Sequence, residues 1–186
     1  MKLKFEKVTD ADLPVFEKTM DIVSMPVYGV AVRCAGGFPQ VVVLNPVINA
    51  ESGELNYNAL SNILWLTCPR IKEAVSKLEK EGAVPRMQQM LAHDRLLAND
   101  MTDAHAHYYF FRKEIYRQIT GRDYAENQIH SFDSGIGGLH DVKQVKCLHS
   151  HYAHYMICPS NVVGRAVAGA VGCRECPAGD YRCMKK

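Results

Sequence analysis

The chain lacks an apolar segment long enough to cross a lipid bilayer. Its longer apolar runs, such as Val41 to Leu44, fall far short of the roughly 20 residues that a membrane-spanning helix needs. Residues Met1 to Lys7 also lack the apolar stretch of a signal peptide. These absences predict a cytoplasmic protein with no membrane partner.

An excess of charge of one sign is also missing. The 22 Lys and Arg residues nearly balance the 20 Asp and Glu residues, so the net charge is only +2. The basic residues are scattered among acidic ones, whereas a nucleic-acid-binding protein usually carries a basic stripe. We therefore expect no nucleic-acid partner, while a protein partner or a homo-oligomer stays open.

Cysteine, in contrast, is abundant. The chain has seven cysteines, an odd number that cannot pair completely within one chain. In the cytoplasm such residues are usually free thiols or metal ligands and seldom disulfides. The remaining composition, with 47% hydrophobic and 23% charged residues, is that of an ordinary globular protein.

Hydrophobic periodicity and turn residues predict an α+β fold. The segment Cys34 to Pro39 carries strong turn chemistry between two β-rich runs, which indicates a hairpin. Residues 46–58 are polar and are expected to form a loop. The predicted strands span residues 27–33, 40–44 and 63–66, and the predicted helices span residues 9–23, 69–81, 85–98, 100–120, 145–157 and 161–171.

This order of elements indicates a small antiparallel sheet, made of the hairpin and one further strand, packed against several helices. Residues 1–168 are predicted to form a single α+β domain. Residues 169–186 are predicted to form a Cys-rich C-terminal tail.

Chemically reactive side chains concentrate between residues 147 and 154, where one thiol and three imidazoles occur. If this segment is helical, Cys147, His151 and His154 stand at i, i+4 and i+7 on one face, and His149 points elsewhere. Three such donors on one stripe suit Zn²⁺ or a similar transition metal. The spacing therefore predicts a metal site, with zinc as the leading cofactor.

Cys68 is the best fourth ligand, because it precedes a predicted helix whose N-terminus favours a thiolate. Cys34, in the hairpin turn, is a further candidate. If one metal position stays open, a bound water with a pKa near ~7 would attack an ester or phosphoester, as in a metal-dependent hydrolase. His105 or His149 would then act as the catalytic proton carrier.

The C-terminal cysteines suggest a second metal site. Cys158, Cys173, Cys176 and Cys183 are separated by 14, 2 and 6 intervening residues, a pattern compatible with zinc or with an iron–sulfur cluster. As an alternative, Cys173 and Cys176 form a redox dithiol.

Two alternatives to a metalloenzyme stay open. In one, Cys147 or Cys68 is a nucleophile activated by a nearby histidine, as in thiol enzymes. In the other, the metal is purely structural and the protein is a non-enzymatic adaptor. The aromatic run Tyr108 to Phe111 would then supply exposed surface, since some of its rings must point away from the core.

Several motifs resemble those of one bacterial family of domains of unknown function, the family numbered 501. The motifs are Tyr28 to Pro39, Trp65-Leu66-Thr67-Cys68-Pro69, Ala104-His105 followed by Tyr108 and Arg112, Gly137-Gly138, Val145 to His154, and Asn161-x-x-Gly164. The resemblance covers about residues 27–168. The first 25 residues and the Cys-rich tail depart from the family pattern.

The resemblance implies a site but no reaction, because the family has no established activity. Carried over position by position, it highlights Cys34, Cys68, His105, Cys147, His149, His151 and His154.

Overall fold

The computed structural model describes residues 5–20, 26–55, 62–124, 133–141, 143–172 and 175–185. Its strands are β1 (Val27–Arg33), β2 (Pro39–Leu44), β3 (Val47–Asn49), β4 (Glu54–Leu55) and β5 (Leu64–Leu66). Its helices are α1 (Leu13–Thr19), α2 (Pro69–Lys80), α3 (Ala83–His93), α4 (Arg95–Thr120), α5 (Leu148–Tyr155) and α6 (Val162–Val171). The architecture is α+β, as predicted. No helix within the described ranges is long and apolar enough to cross a membrane.

β2 is the central strand of a three-stranded antiparallel sheet with the order β1-β2-β5. Val42 lies opposite Val30 of β1 on one side and opposite Trp65 of β5 on the other. All six residues of β2 are buried, and the last four, Val41 to Leu44, form an apolar run without alternation. The predicted hairpin and third strand are confirmed.

The loop predicted for residues 46–58 is wrong in its first part. β3 and β4 pair there as a second, two-stranded antiparallel sheet, while residues 56–58 lie outside the described ranges. Val47 and Leu55 are buried, and the Asn49 side chain accepts a hydrogen bond from the Glu51 backbone N–H (2.9 Å). The sequence did not indicate these strands, because both are too short to show an alternation of apolar and polar residues and polar turn residues lie between them.

The first helix begins where the sequence predicts. Thr9 and Asp12 form a capping box around one turn of 3-10 helix, in which the Thr9 N–H donates to Asp12 Oδ2 (2.9 Å). α1 then ends at Thr19, because Met20 has extended backbone angles (φ −138°, ψ 152°). The predicted end at Val23 lies outside the described residues.

The boundary between α3 and α4 falls earlier than predicted. Asp94 has extended backbone angles, and its carboxylate accepts hydrogen bonds from Leu96 N–H and Leu97 N–H. This is the usual geometry of an acidic N-cap. As a result α4 has 26 residues and reaches from the Asp94 cap to Thr120.

α5 begins later than predicted, and this difference changes the candidate site. Cys147 is the N-cap and has extended angles (φ −118°, ψ 110°), so it does not belong to the helical face of His151 and His154. The helix packs against β5, α2 and α6. α6 approaches closely at Gly164, where a Cβ atom would lie 2.3 Å from the His151 carbonyl oxygen.

Candidate functional site

The N-terminus of α5 brings a thiol, an imidazole and a carboxylate together. Cys147 and His149 come from this first turn, and Glu79 comes from the last turn of α2. One candidate ligand atom from each of the three side chains lies within 4.8 Å of the others. Glu79 Oε1 also accepts a hydrogen bond from the Leu148 N–H (2.7 Å), which satisfies a backbone donor of the first turn.

The hydrogen bonds of His149 define its protonation. Nε2 lies 3.1 Å from the Lys72 carbonyl oxygen, which can only accept, so Nε2 carries a proton. Ser76 Oγ lies 3.2 Å from the same nitrogen. Nδ1 lies 3.3 Å from Glu79 Oε1, which is also an acceptor. A second proton or a cation between Nδ1 and the carboxylate satisfies both groups, so the position favours an imidazolium or a metal ion.

The pKa directions agree with an ion pair between Cys147 and His149. Burial raises the pKa of the Cys147 thiol, but hydrogen bonds from the His149 and Ser150 side chains and from the Ser150 N–H bring it below its ordinary value of 9.0. The hydrogen bond to Cys147 raises the pKa of His149 above 6.5, although burial opposes this. A thiolate at a helix N-terminus beside an imidazolium is the usual form of a reactive cysteine.

A cavity of about 280 Å³ opens beside these side chains. The buried Nε1 atom of Trp65, which also lines the cavity, has no hydrogen-bond partner in the described part of the chain. The wall combines reactive groups with apolar surface, and its residues are Asn62, Leu64, Trp65, Leu66, Lys72, Cys147, His149 and Ser150. The Cys147 sulfur is therefore accessible to a small molecule.

A second thiol–imidazole group lies beyond the C-terminal end of α5. Candidate ligand atoms of His107, His154 and Cys158 lie within 4.8 Å of one another. The Asn161 amide nitrogen donates to His154 Nδ1 (3.0 Å), so His154 Nε2 carries the proton and donates to His107 Nδ1 (2.9 Å). The Asn161 orientation is determined by its own oxygen, which accepts from Gly164 N–H (2.9 Å).

The donor and acceptor roles in these hydrogen bonds argue against a metal ion at the second group. His154 Nε2 is a donor, and a metal ligand must present a lone pair. Burial also lowers the pKa of His154 well below its ordinary value. A cavity of about 320 Å³ at this end is lined by His107 but not by Cys158. The second group is therefore a polar network in which the buried His154 orients the exposed His107.

His105 and His151 form a third, fully internal pair. Their rings meet edge to face with centroids 6.1 Å apart. His105 Nδ1 accepts a hydrogen bond from the Ile136 N–H (2.9 Å). Burial lowers the pKa of His105 to about 4 and that of His151 to about 3. Both imidazoles are neutral at pH 7.

The four predicted ligands of one zinc site do not come together. Cys147 joins Glu79 and His149, His154 joins the second group, and His151 lies against His105, so no described site contains Cys68, Cys147, His151 and His154 at metal-binding distances. The prediction relied on a helix that included Cys147, whereas the helix starts one residue later.

The structure also redistributes the other predicted site residues. Of the two proton carriers, His149 lies at the Cys147 thiol and His105 lies beside His151. Of the tail cysteines, Cys158 lies with His107 and His154, and Cys173 lies outside the described residues. Cys34, Cys68, Cys176 and Cys183 belong to neither the Cys147 group nor the second group.

Two contributors to the site were missed from the sequence. Glu79 lies 70 residues before His149, and nothing local marks it as a partner. His107 lies in α4, 47 residues before His154, and only tertiary packing brings the two rings together. Asn161 was recognised only as the start of a helix; its N-cap signal is local, but its bond to His154 is not.

Comparison with known proteins gives one match. A family model described as a protein of unknown function (DUF501) covers residues 30–169 of the 186-residue chain, close to the range of the resemblance. No curated protein and no solved structure matches the chain. The matched range includes the N-terminus of α5 and the α2 segment that faces it. The chain therefore belongs to the DUF501 family of proteins of unknown function.

Proposed function

We propose that this protein is a thiol-dependent acyl-transfer enzyme in which Cys147 is the nucleophile. The observation that carries the proposal is that Cys147 and His149 line one cavity, while Glu79 lies against His149. The thiol has a depressed pKa and the imidazole an elevated one. A nucleophile, a base and a third group that orients the base make up the general arrangement of covalent catalysis.

Each residue has a defined role in the proposed reaction. The Cys147 thiolate attacks the carbonyl carbon of an ester or thioester, and a carbon–sulfur bond forms. The bond to the leaving oxygen or sulfur then breaks, and the His149 imidazolium gives that atom a proton. Water attacks the resulting thioester while neutral His149 takes its proton, and the acid and free Cys147 are released. Glu79 keeps the His149 ring oriented.

The cavity indicates the class of substrate. Leu64, Trp65 and Leu66 form an apolar wall beside Cys147, where a short hydrocarbon acyl group would pack. A volume of about 280 Å³ is at the lower end for small-molecule sites. We therefore expect esters or thioesters of small apolar acids to be better substrates than charged ones.

The direct test is acylation of the enzyme by p-nitrophenyl butyrate in metal-free protein. We expect a burst of p-nitrophenol and a butyryl group on the peptide that contains Cys147. Replacing His149 with Gln should slow acylation by roughly 10²-fold or more, the usual contribution of a general acid–base. Cys147→Ser should abolish the burst.

Cys158→Ser is the matched control, because Cys158 also bonds to a histidine but does not line the 280 Å³ cavity. It should keep the burst at the wild-type rate. Equal butyrylation of several cysteines, or a burst that survives Cys147→Ser, would show that Cys147 is not an activated nucleophile.

A second candidate function is metal binding by the same three side chains, most simply of zinc. It is supported by the hydrogen bond from His149 Nε2 to the Lys72 carbonyl (3.1 Å), since metal-ligating histidines usually donate their other N–H to a carbonyl or carboxylate. A Cys, a His and a Glu leave one tetrahedral position for water, as in catalytic zinc sites.

Metal analysis separates the two candidates. A catalytic zinc would be lost in both Cys147→Ser and Glu79→Gln, and the esterase burst would disappear after chelation. The thiol mechanism predicts instead that chelation leaves acylation unchanged. An unchanged metal content in Cys147→Ser would rule out metal binding at this position.

A further inference from the structure

Two cysteines outside the Cys147 site lie at one end of the three-stranded sheet. Cys34 follows β1, and Cys68 lies between β5 and α2. The Cys34 N–H donates to the Phe38 carbonyl (2.9 Å), and the Thr67 N–H donates to the Gln40 carbonyl (2.9 Å). Both segments thus flank the start of β2, which separates them by two strand spacings, roughly 10 Å between backbones.

The C-terminal segment 175–185 covers this end of the sheet. Glu175 Oε2 accepts a hydrogen bond from the Ala35 N–H (3.0 Å) in the hairpin turn. The Tyr181 ring packs so closely on the turn that a Cβ atom at Gly36 would lie 2.3 Å from it. The segment therefore has a specific docking position, and it brings Cys176 and Cys183 with it.

The four thiols share one environment. Cys68 and Cys183 are buried, and Cys34 and Cys176 are half-buried. Burial raises the pKa of Cys183, and the charges of Cys34, Cys68 and Cys176 raise it further. Burial also raises the pKa of Cys68; backbone N–H groups of α2 oppose this, and Cys176 and Cys34 add to it. The four thiols therefore lie near one another at this end of the sheet.

We propose that Cys34, Cys68, Cys176 and Cys183 bind one zinc ion, which attaches the C-terminal tail to the hairpin. Four cysteines from separate segments make up the closed tetrahedral ligand set of a structural zinc site. The cation would neutralise the repulsion among the thiolates and favour their deprotonated form. Backbone N–H groups of the first turn of α2 that bond to Cys68 sulfur are typical outer partners of such a site.

Zinc binding requires these sulfurs to move closer together. Among the described residues, no three of these sulfurs lie within 4.8 Å of one another. Sulfurs around a tetrahedral zinc ion are about 3.8 Å apart, because each Zn–S bond is about 2.3 Å long. Residues 175–185 contain no helix or strand, so this segment can shift toward Cys34 and Cys68 without breaking a regular element.

The site combines two parts of the chain. Cys34 and Cys68 lie within the range that matches the family model, whereas Cys176 and Cys183 lie beyond its end at residue 169. Cys176 and Cys183, which were predicted from the sequence to bind a metal together with Cys158, are therefore assigned to a site with Cys34 and Cys68. The ion would be structural, and its binding is independent of the chemistry proposed for Cys147.

The test is zinc content per chain in full-length, tag-free protein purified without chelator and under anaerobic conditions. We expect one zinc ion that is lost in Cys34→Ser and in Cys183→Ser. The same ion should be retained in Cys158→Ser and in Cys147→Ser, which carry matched substitutions outside the proposed site. Removing the zinc should also speed cleavage by trypsin after Arg182.

Cobalt reconstitution provides a readout that does not depend on the folding of any variant. Wild-type protein loaded with Co²⁺ should show thiolate-to-cobalt charge-transfer absorption and the intense visible bands of a tetrahedral ion, and Cys34→Ser should show neither. Wild-type protein that takes up no zinc or cobalt would overturn the proposal. Full zinc content in Cys34→Ser and Cys183→Ser would overturn it equally.

Discussion

The two halves of α5 carry histidines that titrate in opposite directions. In the first turn, the hydrogen bond with Cys147 raises the pKa of His149. Further along the same helix, burial lowers the pKa of His151 to about 3 and lowers that of His154 as well. Residues of one type, within one short helix, thus have pKa values shifted upward at one end and downward in the remainder.

The difference comes from what surrounds each ring. His149 has the Cys147 thiol and the Glu79 carboxylate as neighbours and lies beside an open cavity. His154 meets the neutral amide of Asn161. His151 is fully buried, and its ring meets that of His105 edge to face. A stretch rich in His and Cys is therefore not one site, because its partners divide it into a reactive end and a structural remainder.

The largest effect should come from acid, which acts on the neutral histidines. His105, His151 and His154 have lowered pKa values, so below pH 6.5 the unfolded chain binds protons that the native protein does not. Stability is therefore complete above pH 6.5 and is lost as pH falls. Between pH 7 and pH 5, each of these three histidines should lower the free energy of unfolding by about 2 kcal/mol. Urea denaturation at the two pH values measures this loss.

A substitution at His151 tests its contribution to this loss of stability in acid. His151→Phe should remove about 2 kcal/mol of the loss between pH 7 and 5, since phenylalanine does not titrate. His93→Gln serves as the control, because His93 is exposed and should leave the loss unchanged. An acid dependence identical in wild type and His151→Phe would mean that His151 has the same pKa in the native and the unfolded protein, which would contradict the prediction.

The next largest effect is expected at Asn161. Asn161→Ala would remove the N-cap of α6 and leave His154 Nδ1 without its donor. Loss of a cap costs about 1 kcal/mol and an unsatisfied buried group about 1–3 kcal/mol, so we expect roughly 3 kcal/mol. Thermal or urea unfolding measures it, with Asn99→Ala on the exposed surface of α4 as the control. A loss below 1 kcal/mol would contradict the assigned network.

The contact between α5 and α6 gives a slightly smaller prediction. In Gly164→Ala, the new Cβ atom would lie 2.3 Å from the His151 carbonyl oxygen, and overpacking of this kind costs about 1–3 kcal/mol. Gly169→Ala in the same helix meets nothing within 4 Å and should be neutral or stabilising. Equal stability changes for the two variants would argue against the close approach.

The smallest effect should follow Glu79→Gln, which keeps a carbonyl acceptor for the Leu148 N–H but removes the charge. Because that charge raises the pKa of both Cys147 and His149, both pKa values should fall. Stability should change by less than about 1 kcal/mol, because Glu79 is partly exposed. Titration of the His149 ring by NMR would measure the shift, and a rise in its pKa would contradict the prediction.

Most of the fold could be predicted because its signals are local. The hairpin turn between Cys34 and Pro39 lies between β-rich runs, and Pro69 marks the first turn of α2. Val41 to Leu44 of β2 are all apolar because β2 is the buried central strand. Helix boundaries were predicted less accurately. Asp94 has a common capping side chain, but its capping role was missed because it lies within a continuous helical pattern.

The site was less predictable because it depends on one boundary and one distant residue. Cysteine is not among the preferred N-cap residues, so nothing in the sequence marked Cys147 as the residue that caps the start of α5. A helix assumed to start earlier places Cys147 on the face of His151 and His154, and the predicted zinc set followed from that. Glu79 comes from another helix, and only tertiary packing brings it to His149.

The most direct test of the central claim is the rate of alkylation of Cys147 by iodoacetamide as a function of pH, followed by peptide mass spectrometry in metal-free protein. We predict a rate that rises with a midpoint below pH 9.0, the ordinary pKa of a cysteine, and a midpoint that moves upward in His149→Gln. A midpoint at or above pH 9.0 that is the same in His149→Gln would contradict activation of Cys147 by His149.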